Sequence, residues 1–493
     1  MGENRSSYGN IFKAIALFGG VKVIQIIISM LRSKAVALLL GPGGMGISNM
    51  LKYTVDTVSS ITGCGLQFSA VRDVAKAYDG KDQARVNKTI TTLRRLVWLT
   101  GIAGSLIVFF FAEPLSLFAF SNKEYVSAFR ILSIVMLFMQ LNIGQIVLLQ
   151  GTFHYKDMAK ATVVGQFLSL LLILPLYYFL REDGIVPALI LSSAIILVVT
   201  FVYSRRVAYR KVVLGIKEFW AHSKGMLFLG IVLAMGGSIS NASSYLMNVI
   251  LVKLDSIEAV GLYSAAISLS NSYVFLVLSS MTTDYVPRLS ALVDDVPAQI
   301  AAINKQIVMV AIIISPLLIA FTVFAKPVIQ LLYSSDFFAT VHMIEFLMLG
   351  MFFRAVGWCL SYALVARGDS KIFLVTEITI FFVSLSLNTL FFWLGSFTGI
   401  GISIVFVYLI YFLMLFLIAR KTYGFAFSRE VKQMLVPYLC LCVIATMLSF
   451  FSGDTIVKYA LGSVVLAYCL YRSIRDLDSR VHLKDAILSR LKK

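Results

Sequence analysis

What most constrains this chain is the recurrence, from end to end, of apolar runs of about 18 residues or more, each long enough as a helix to cross a hydrocarbon core of roughly 30 Å. Fourteen candidate helices are predicted, at roughly 11–40, 44–70, 97–113, 127–150, 162–180, 186–204, 225–252, 258–282, 306–325, 341–365, 372–394, 401–418, 434–451 and 457–471. No sizeable soluble domain fits between them. Composition agrees, because only 14% of the 493 residues are charged, against roughly 25% in soluble domains. The expected fold is an all-α integral membrane protein with about 14 transmembrane helices.

With the N-terminus inside, the even-numbered loops and both termini hold about 31 of the 43 Lys and Arg, and the opposite loops hold about five. The clusters Arg72 to Arg95, Arg205 to Lys224 and Arg472 to Lys493 stand out, and their side is expected to be cytoplasmic. This asymmetry accounts for most of the net charge of +18, so basic loops beside anionic lipid suffice and no nucleic-acid partner is implied.

The five cysteines, Cys64, Cys359, Cys440, Cys442 and Cys469, fall in apolar segments as small hydrophobes, and His154, His222, His342 and His482 lack ligand spacing. Neither disulfides nor a metal are expected. "MGENRS" fits the myristoylation pattern, but one acyl chain adds little to a chain so rich in spanning helices. The first apolar segment is too long for a cleavable signal and lacks a small-residue cleavage site.

Self-comparison reveals a duplication. "FAEPLSLFAFSN" at 111–122 recurs as "FAKPVIQLLYSS" at 324–335, and a register two residues longer aligns Gly46 with Gly261 and Lys156 with Lys371. Segments 1–6 and 7–12 therefore read as two parallel copies of a six-helix unit, enclosing a central cavity. The expected divisions are 1–213, 214–425, and 426–493 for the added segments 13 and 14 with a basic tail.

Gly41, Gly43 and Gly46 satisfy G-x-G-x-x-G, but that spacing has chemical meaning only between a strand and a helix of a βαβ unit. Here it joins two spanning segments, where Pro42 and the glycines serve a turn. No G-x-x-x-x-G-K-[ST] motif occurs, so any work is drawn from an ion gradient, the membrane potential or the substrate's own gradient.

Charges inside the spans need a separate explanation, since an ionisable group near the bilayer centre costs at least roughly 2.5 kcal/mol and usually faces a protein interior or a wet cavity. Lys22, Gln25, Ser29 and Arg32 share one face of segment 1, and Ser48, Lys52, Asp56, Ser59, Gly63 and Gln67 share one of segment 2. Arg32 and Lys52 sit equally far from the turn and so at similar depth. Segment 7 aligns Ser238, Asn241, Ser244 and Asn248; segment 8 carries Ser264, Ser268 and Asn271; segment 11 aligns Glu377, Ser384 and Asn388. On segment 10, Glu345 and Arg354 fall on roughly opposite faces and are not an obvious pair.

Plainer interpretations stand beside the functional one. Lys34 and Arg130 lie near helix ends and can snorkel. Lys52 and Asp56 can form a structural i, i+4 ion pair, and the Ser and Asn faces can be polar contacts between packed helices. Lys22, Arg32 and Arg354 have no carboxylate partner close in sequence, and for them a functional role is favoured.

"RSKAVALLLGPGGMGISNMLKY", followed by the Gly-rich "TGCGLQFSAVRDVAKA", resembles the start of O-antigen flippases, in the polysaccharide branch of the multidrug, oligosaccharidyl-lipid and polysaccharide exporter superfamily. Length and duplication extend the likeness over nearly the whole chain. Many O-antigen flippases have twelve helices and peptidoglycan-precursor flippases fourteen. The resemblance implies a non-enzymatic transporter that moves an undecaprenyl-pyrophosphate-linked oligosaccharide to the outer leaflet of the bacterial inner membrane, by alternating access around a cationic cavity. On that reading Lys22, Arg32, Lys52 and Arg354 bind pyrophosphate, and Asn241, Asn248, Asn271 and Asn388 bind sugar hydroxyls. Asp56, Glu345 and Glu377 are then candidates for H+ or Na+ coupling, with no other cofactor; membrane lipid and a polysaccharide polymerase are candidate partners. A multidrug exporter or peptidoglycan-precursor flippase is the nearest alternative, and a membrane glycan polymerase or ligase is one from another class.

Overall fold

A computed structural model describes residues 2–80, 82–452 and 455–481, and every regular element among them is helical. By backbone contact the chain groups into two compact units, Met1–Leu262 and Tyr263–Lys493. The first contains α1 (Gly2–Thr62), α2 (Leu66–Asp79), α3 (Gln83–Phe110), α4 (Ala112–Phe120), α5 (Val126–Gly151), α6 (Tyr155–Leu180), α7 (Ile185–Ser204) and α8 (Ile216–Leu254). The unit boundary falls within α9 (Ile257–Ala291). The second unit continues with α10 (Val296–Val323), α11 (Ala325–Leu332), α12 (Val341–Arg367), α13 (Ser370–Tyr423), α14 (Arg429–Phe451) and α15 (Thr455–Val481).

Two of these helices hold two predicted segments each. The glycine-rich stretch of α1 makes no extended loop: the break is one residue, Gly41, at φ 67° and ψ −169°, and Pro42 starts the next arm. α13 reverses at Gly395 and Ser396, the latter at φ 50°. The segment expected over 44–70 is itself interrupted, because α1 ends at Thr62 and α2 begins at Leu66 after Cys64 and Gly65 take left-handed backbone. Only a residue without Cβ fits at Gly65, since an added Cβ there would lie 1.9 Å from the Gly230 carbonyl oxygen of α8.

The duplicated Phe-Ala-x-Pro stretches fold alike. Each closes a long helix on a phenylalanine of similar backbone, Phe111 at φ −95°, ψ 18° and Phe324 at φ −101°, ψ 24°, before the short helices α4 and α11. Within the second unit α12 is enclosed along most of its length by α10, α13 and α14, while α14 and α15 pack on α10 and on each other. The helix that carries both Glu345 and Arg354 is thus the best shielded of that unit.

Candidate functional site

In the first unit, the two arms of α1 and the adjoining α6 bring Arg32, Ser48, Lys52 and Asp56 together with two residues the segment patterns did not single out, Ser169 and Tyr177. Arg32 Nη2 donates to Ser169 Oγ at 2.6 Å. Tyr177 bonds Ser48 and lies within electrostatic range of Arg32. Lys52 forms the i, i+4 ion pair with Asp56 at 2.5 Å, so the plainer interpretation of that pair is realised, and Lys52 and Arg32 sit close enough to feel each other's charge. Lys22 is exposed, about 15 Å along the helix from Arg32 at 1.5 Å per residue. Among the described residues neither Lys22 nor Arg32 has a carboxylate partner.

A cavity of about 260 Å³ opens at the break between α1 and α2. Asp56, Ser59, Ser60, Gln67 and Asn241 line it, and so does Gln140 of α5, fully buried and donating from Nε2 to the Ser59 carbonyl at 3.1 Å and hydroxyl at 3.0 Å. Asn241 therefore reaches open space. Asn248, one face-repeat further along α8, is buried, with its Oδ1 unpartnered among the described residues. The side chain of Ser238 lies outside the described residues, as does His482.

In the second unit Arg354 is the centre of a neutral cradle. Its Nη1 donates to Asn271 Oδ1 of α9 at 2.6 Å and to Tyr408 Oη of α13 at 3.1 Å, and its guanidinium lies 5.3 Å from the Tyr408 ring centre. Glu377 accepts a bond from Tyr411 at 2.9 Å and is within electrostatic range of Arg354, but the two form no ion pair. Asn388 is buried inside α13, donating to Ser384 of its own arm at 3.1 Å and accepting from Ser403 of the other at 2.5 Å.

Glu345 and Arg354 do not meet, as their spacing on one helix requires. Glu345 is fully buried and pairs with Lys458 of α15 at 2.6 Å and with His342 Nδ1 at 2.9 Å. Lys458 was not among the residues marked from the sequence, although a lysine at the edge of an apolar segment is a signal of the same kind as Lys22. Tyr177, Tyr408 and Tyr411 give a weaker signal, because a tyrosine in a span reads as apolar until its hydroxyl finds a partner. No group of three or more His, Cys, Asp or Glu able to hold a metal occurs among the described residues.

The chemistry open to this arrangement is anion binding. Two guanidiniums, one in each unit, are oriented by hydroxyl, amide and aromatic groups and not by an ion pair among the described residues, and a planar fork suits phosphate oxygens. Comparison with known proteins gives the family and the fold. Residues 35–342 match the family model described as "Polysaccharide biosynthesis protein", and residues 263–470 match that of "Lipid II flippase MurJ". The Lipid III flippase of Escherichia coli (strain K12) is 22% identical over 368 residues, covering 73% of this chain and 86% of the relative. Among solved structures, a lipid II flippase MurJ in an inward closed conformation superposes with a TM-score of 0.70 at 15% identity, over 95% of this chain and 99% of that one. An inward-facing multidrug resistance MATE family transporter of the MOP superfamily gives 0.68 at 16% identity, over 83% and 96%. Both are neighbours in fold.

Proposed function

The chain belongs to the polysaccharide biosynthesis protein family, and from that premise we propose that it carries an undecaprenyl-pyrophosphate-linked oligosaccharide, a surface-polysaccharide repeat unit of the O-antigen kind, from the inner to the outer leaflet of the bacterial inner membrane. It is a multi-pass flippase of lipid-linked precursors in the multidrug, oligosaccharidyl-lipid and polysaccharide exporter superfamily, a transporter and not an enzyme. The observation that carries the cargo assignment is the pair of guanidiniums, Arg32 and Arg354, each held by neutral partners with no ion pair. A pyrophosphate stripped of water needs such partners, and one close charge pair is worth about 4 kcal/mol at an effective dielectric of about 20.

In this reading Arg32 in the first unit, with Lys52 beside it, and Arg354 in the second each offer a guanidinium to the pyrophosphate during alternating access, while the exposed Lys22, about 15 Å along the helix from Arg32, is too distant to share the same group. Asn241 and the polar cavity at the α1–α2 break receive sugar hydroxyls, whereas Asn271 holds Arg354 and Asn248 and Asn388 are buried. An organic-cation cargo is disfavoured by the excess of positive charge. Glu377 is the favoured coupling residue, because Asp56 is committed to Lys52 and Glu345 to Lys458, whereas among the described residues Glu377 accepts a bond from the neutral Tyr411 hydroxyl and forms no ion pair. With the interior negative, outward movement of two negative charges releases roughly 4 to 5 kcal/mol per 100 mV, so coupling to H+ or Na+ serves to reset the empty carrier.

The test is reconstitution into liposomes with a lipid-linked oligosaccharide. Arg32→Ala and Arg354→Ala are each expected to cut export at least about tenfold, the value of one lost charge-assisted contact. Normal export in both would remove the cargo-binding assignment. Glu377→Gln is expected to abolish the dependence of export on pH or sodium, and an unchanged dependence would remove the coupling role.

A further inference from the structure

A second cationic site, built from residues other than those assigned to the cargo, lies in the first unit, where the basic end of α3 meets the segment that leads into α8. Asn87, Thr91 and Arg95 recur every four residues along one face of α3. Each holds one backbone group of that segment: Asn87 Oδ1 accepts from the Arg210 N–H at 2.9 Å, Thr91 Oγ1 accepts from the Val212 N–H at 3.3 Å, and Arg95 Nη1 donates to the Leu214 carbonyl at 2.9 Å. The segment is thereby stapled along the helix. The staple sets Tyr209 and Lys211 beside Arg94 and Trp98.

The space they enclose, about 510 Å³, is lined by three cations, Arg94, Arg95 and Lys211, and three aromatic residues, Trp98, Tyr209 and Phe219, with no carboxylate. Glu218, next in sequence to Phe219, is engaged by Lys88. Arg94 stacks with its guanidinium carbon 4.8 Å from the Tyr209 ring centre, which orients the planar fork while adding no hydrogen bond. Its Nε is buried and has no acceptor among the described residues. Among the described residues the Arg94 guanidinium stacks on Tyr209 but makes no hydrogen bond or ion pair, so the edge of the fork that borders the cavity is open to an acceptor from outside the protein. Trp98, 49% exposed, marks the level at which an indole prefers to sit, between acyl chains and headgroups.

The geometry points to a binding site for the phosphodiester of an anionic phospholipid, resident in the leaflet at the basic end of the helices. Arg94 supplies a fork, Lys211 a second charge, and the Trp98 and Phe219 rings an apolar wall along which the glycerol and upper acyl chain lie. Such a lipid completes the staple by covering the seam between α3 and the segment entering α8. The inference is independent of the cargo proposed above, which concerns Arg32 and Arg354.

The experiment uses the full chain purified and relipidated with phosphatidylglycerol or with phosphatidylcholine, reading retained lipid by native mass spectrometry and thermal unfolding in parallel. Phosphatidylglycerol is expected to be retained and to raise the unfolding temperature, while phosphatidylcholine does neither. Arg94→Gln and Lys211→Gln are each expected to weaken retention about tenfold, and Lys224→Gln, an exposed lysine at the same end, to leave it unchanged. Lys211 makes no hydrogen bond among the described residues, so its variant keeps the assay valid where Arg94→Gln disturbs packing. Equal retention of the two lipids, or wild-type retention in both variants, would overturn the site. Inorganic phosphate alone giving the full thermal shift would overturn its assignment to a lipid. Displacement of phosphatidylglycerol by undecaprenyl pyrophosphate, with export lost in the variants, would transfer the site to the cargo.

Discussion

Glu345 and Lys458 show what a buried charge pair commits a chain to. The carboxylate is fully buried and the lysine nearly so, and the pair ties α12 to α15 with His342 as a third member. Removing one partner strands the other charge, so Lys458→Met should cost about 3–5 kcal/mol of stability. The double variant Glu345→Gln/Lys458→Met should recover most of that loss, and denaturant unfolding of the purified chain checks both. At the basic end, the hydrogen bond and charge of Lys88 hold the exposed Glu218 carboxyl below the usual carboxylate range, with His222 adding to the effect. A depressed folded value stabilises above the unfolded value of about 4.3 and is lost as pH falls through the folded one. The unfolding temperature of Glu218→Gln should therefore lie slightly below wild type at neutral pH and converge on it at the acid end of the titration. Such residue-level facts were legible unevenly. The i, i+4 pair Lys52–Asp56 can be read from spacing alone. Lys458 and Tyr408 become partners only when helices far apart in sequence pack, and no local pattern carries that.

At the scale of elements, the membrane itself made the helices legible, because a span must be long, apolar and self-satisfied in its hydrogen bonds. All fourteen predicted segments fall on helical residues, most of them without interruption. The interruption at 63–65 was not legible, since hydrophobicity runs straight across it and only Gly63 and Gly65 hint at it. The reason for glycine becomes clear in the packing. A Cβ at Gly46 would lie 2.0 Å from the Ile257 carbonyl oxygen, and one at Gly261 would lie 1.9 Å from that of Pro42, so these two landmarks of the duplication are also a close crossing of α1 and α9. Gly46→Ala and Gly261→Ala should each destabilise by about 1–3 kcal/mol through forced separation of the backbones. Gly20→Ala, where an added Cβ meets nothing within 4 Å, should not, and thermal unfolding of the three variants separates the cases. The duplicated phenylalanine breaks at 111 and 324 argue from backbone geometry for what the sequence landmarks argued from identity.

For the whole molecule, the account rests on how positive charge is disposed within the spans. Arg32 and Lys52, which the spacing about the turn puts at similar depth, lie within range of each other's charge, and Arg354, without a carboxylate close in sequence, is held by Asn271 and Tyr408. What remained hidden was the set of neutral partners that orient each guanidinium without cancelling it. The most direct test of the claim that these groups await a pyrophosphate is equilibrium binding of undecaprenyl pyrophosphate and of uncharged undecaprenol to the purified chain and to Arg32→Gln and Arg354→Gln. The account predicts that wild type prefers the pyrophosphate by at least about tenfold and that each variant loses most of that preference. Equal affinity of wild type for the two lipids, or a preference untouched in both variants, would contradict it.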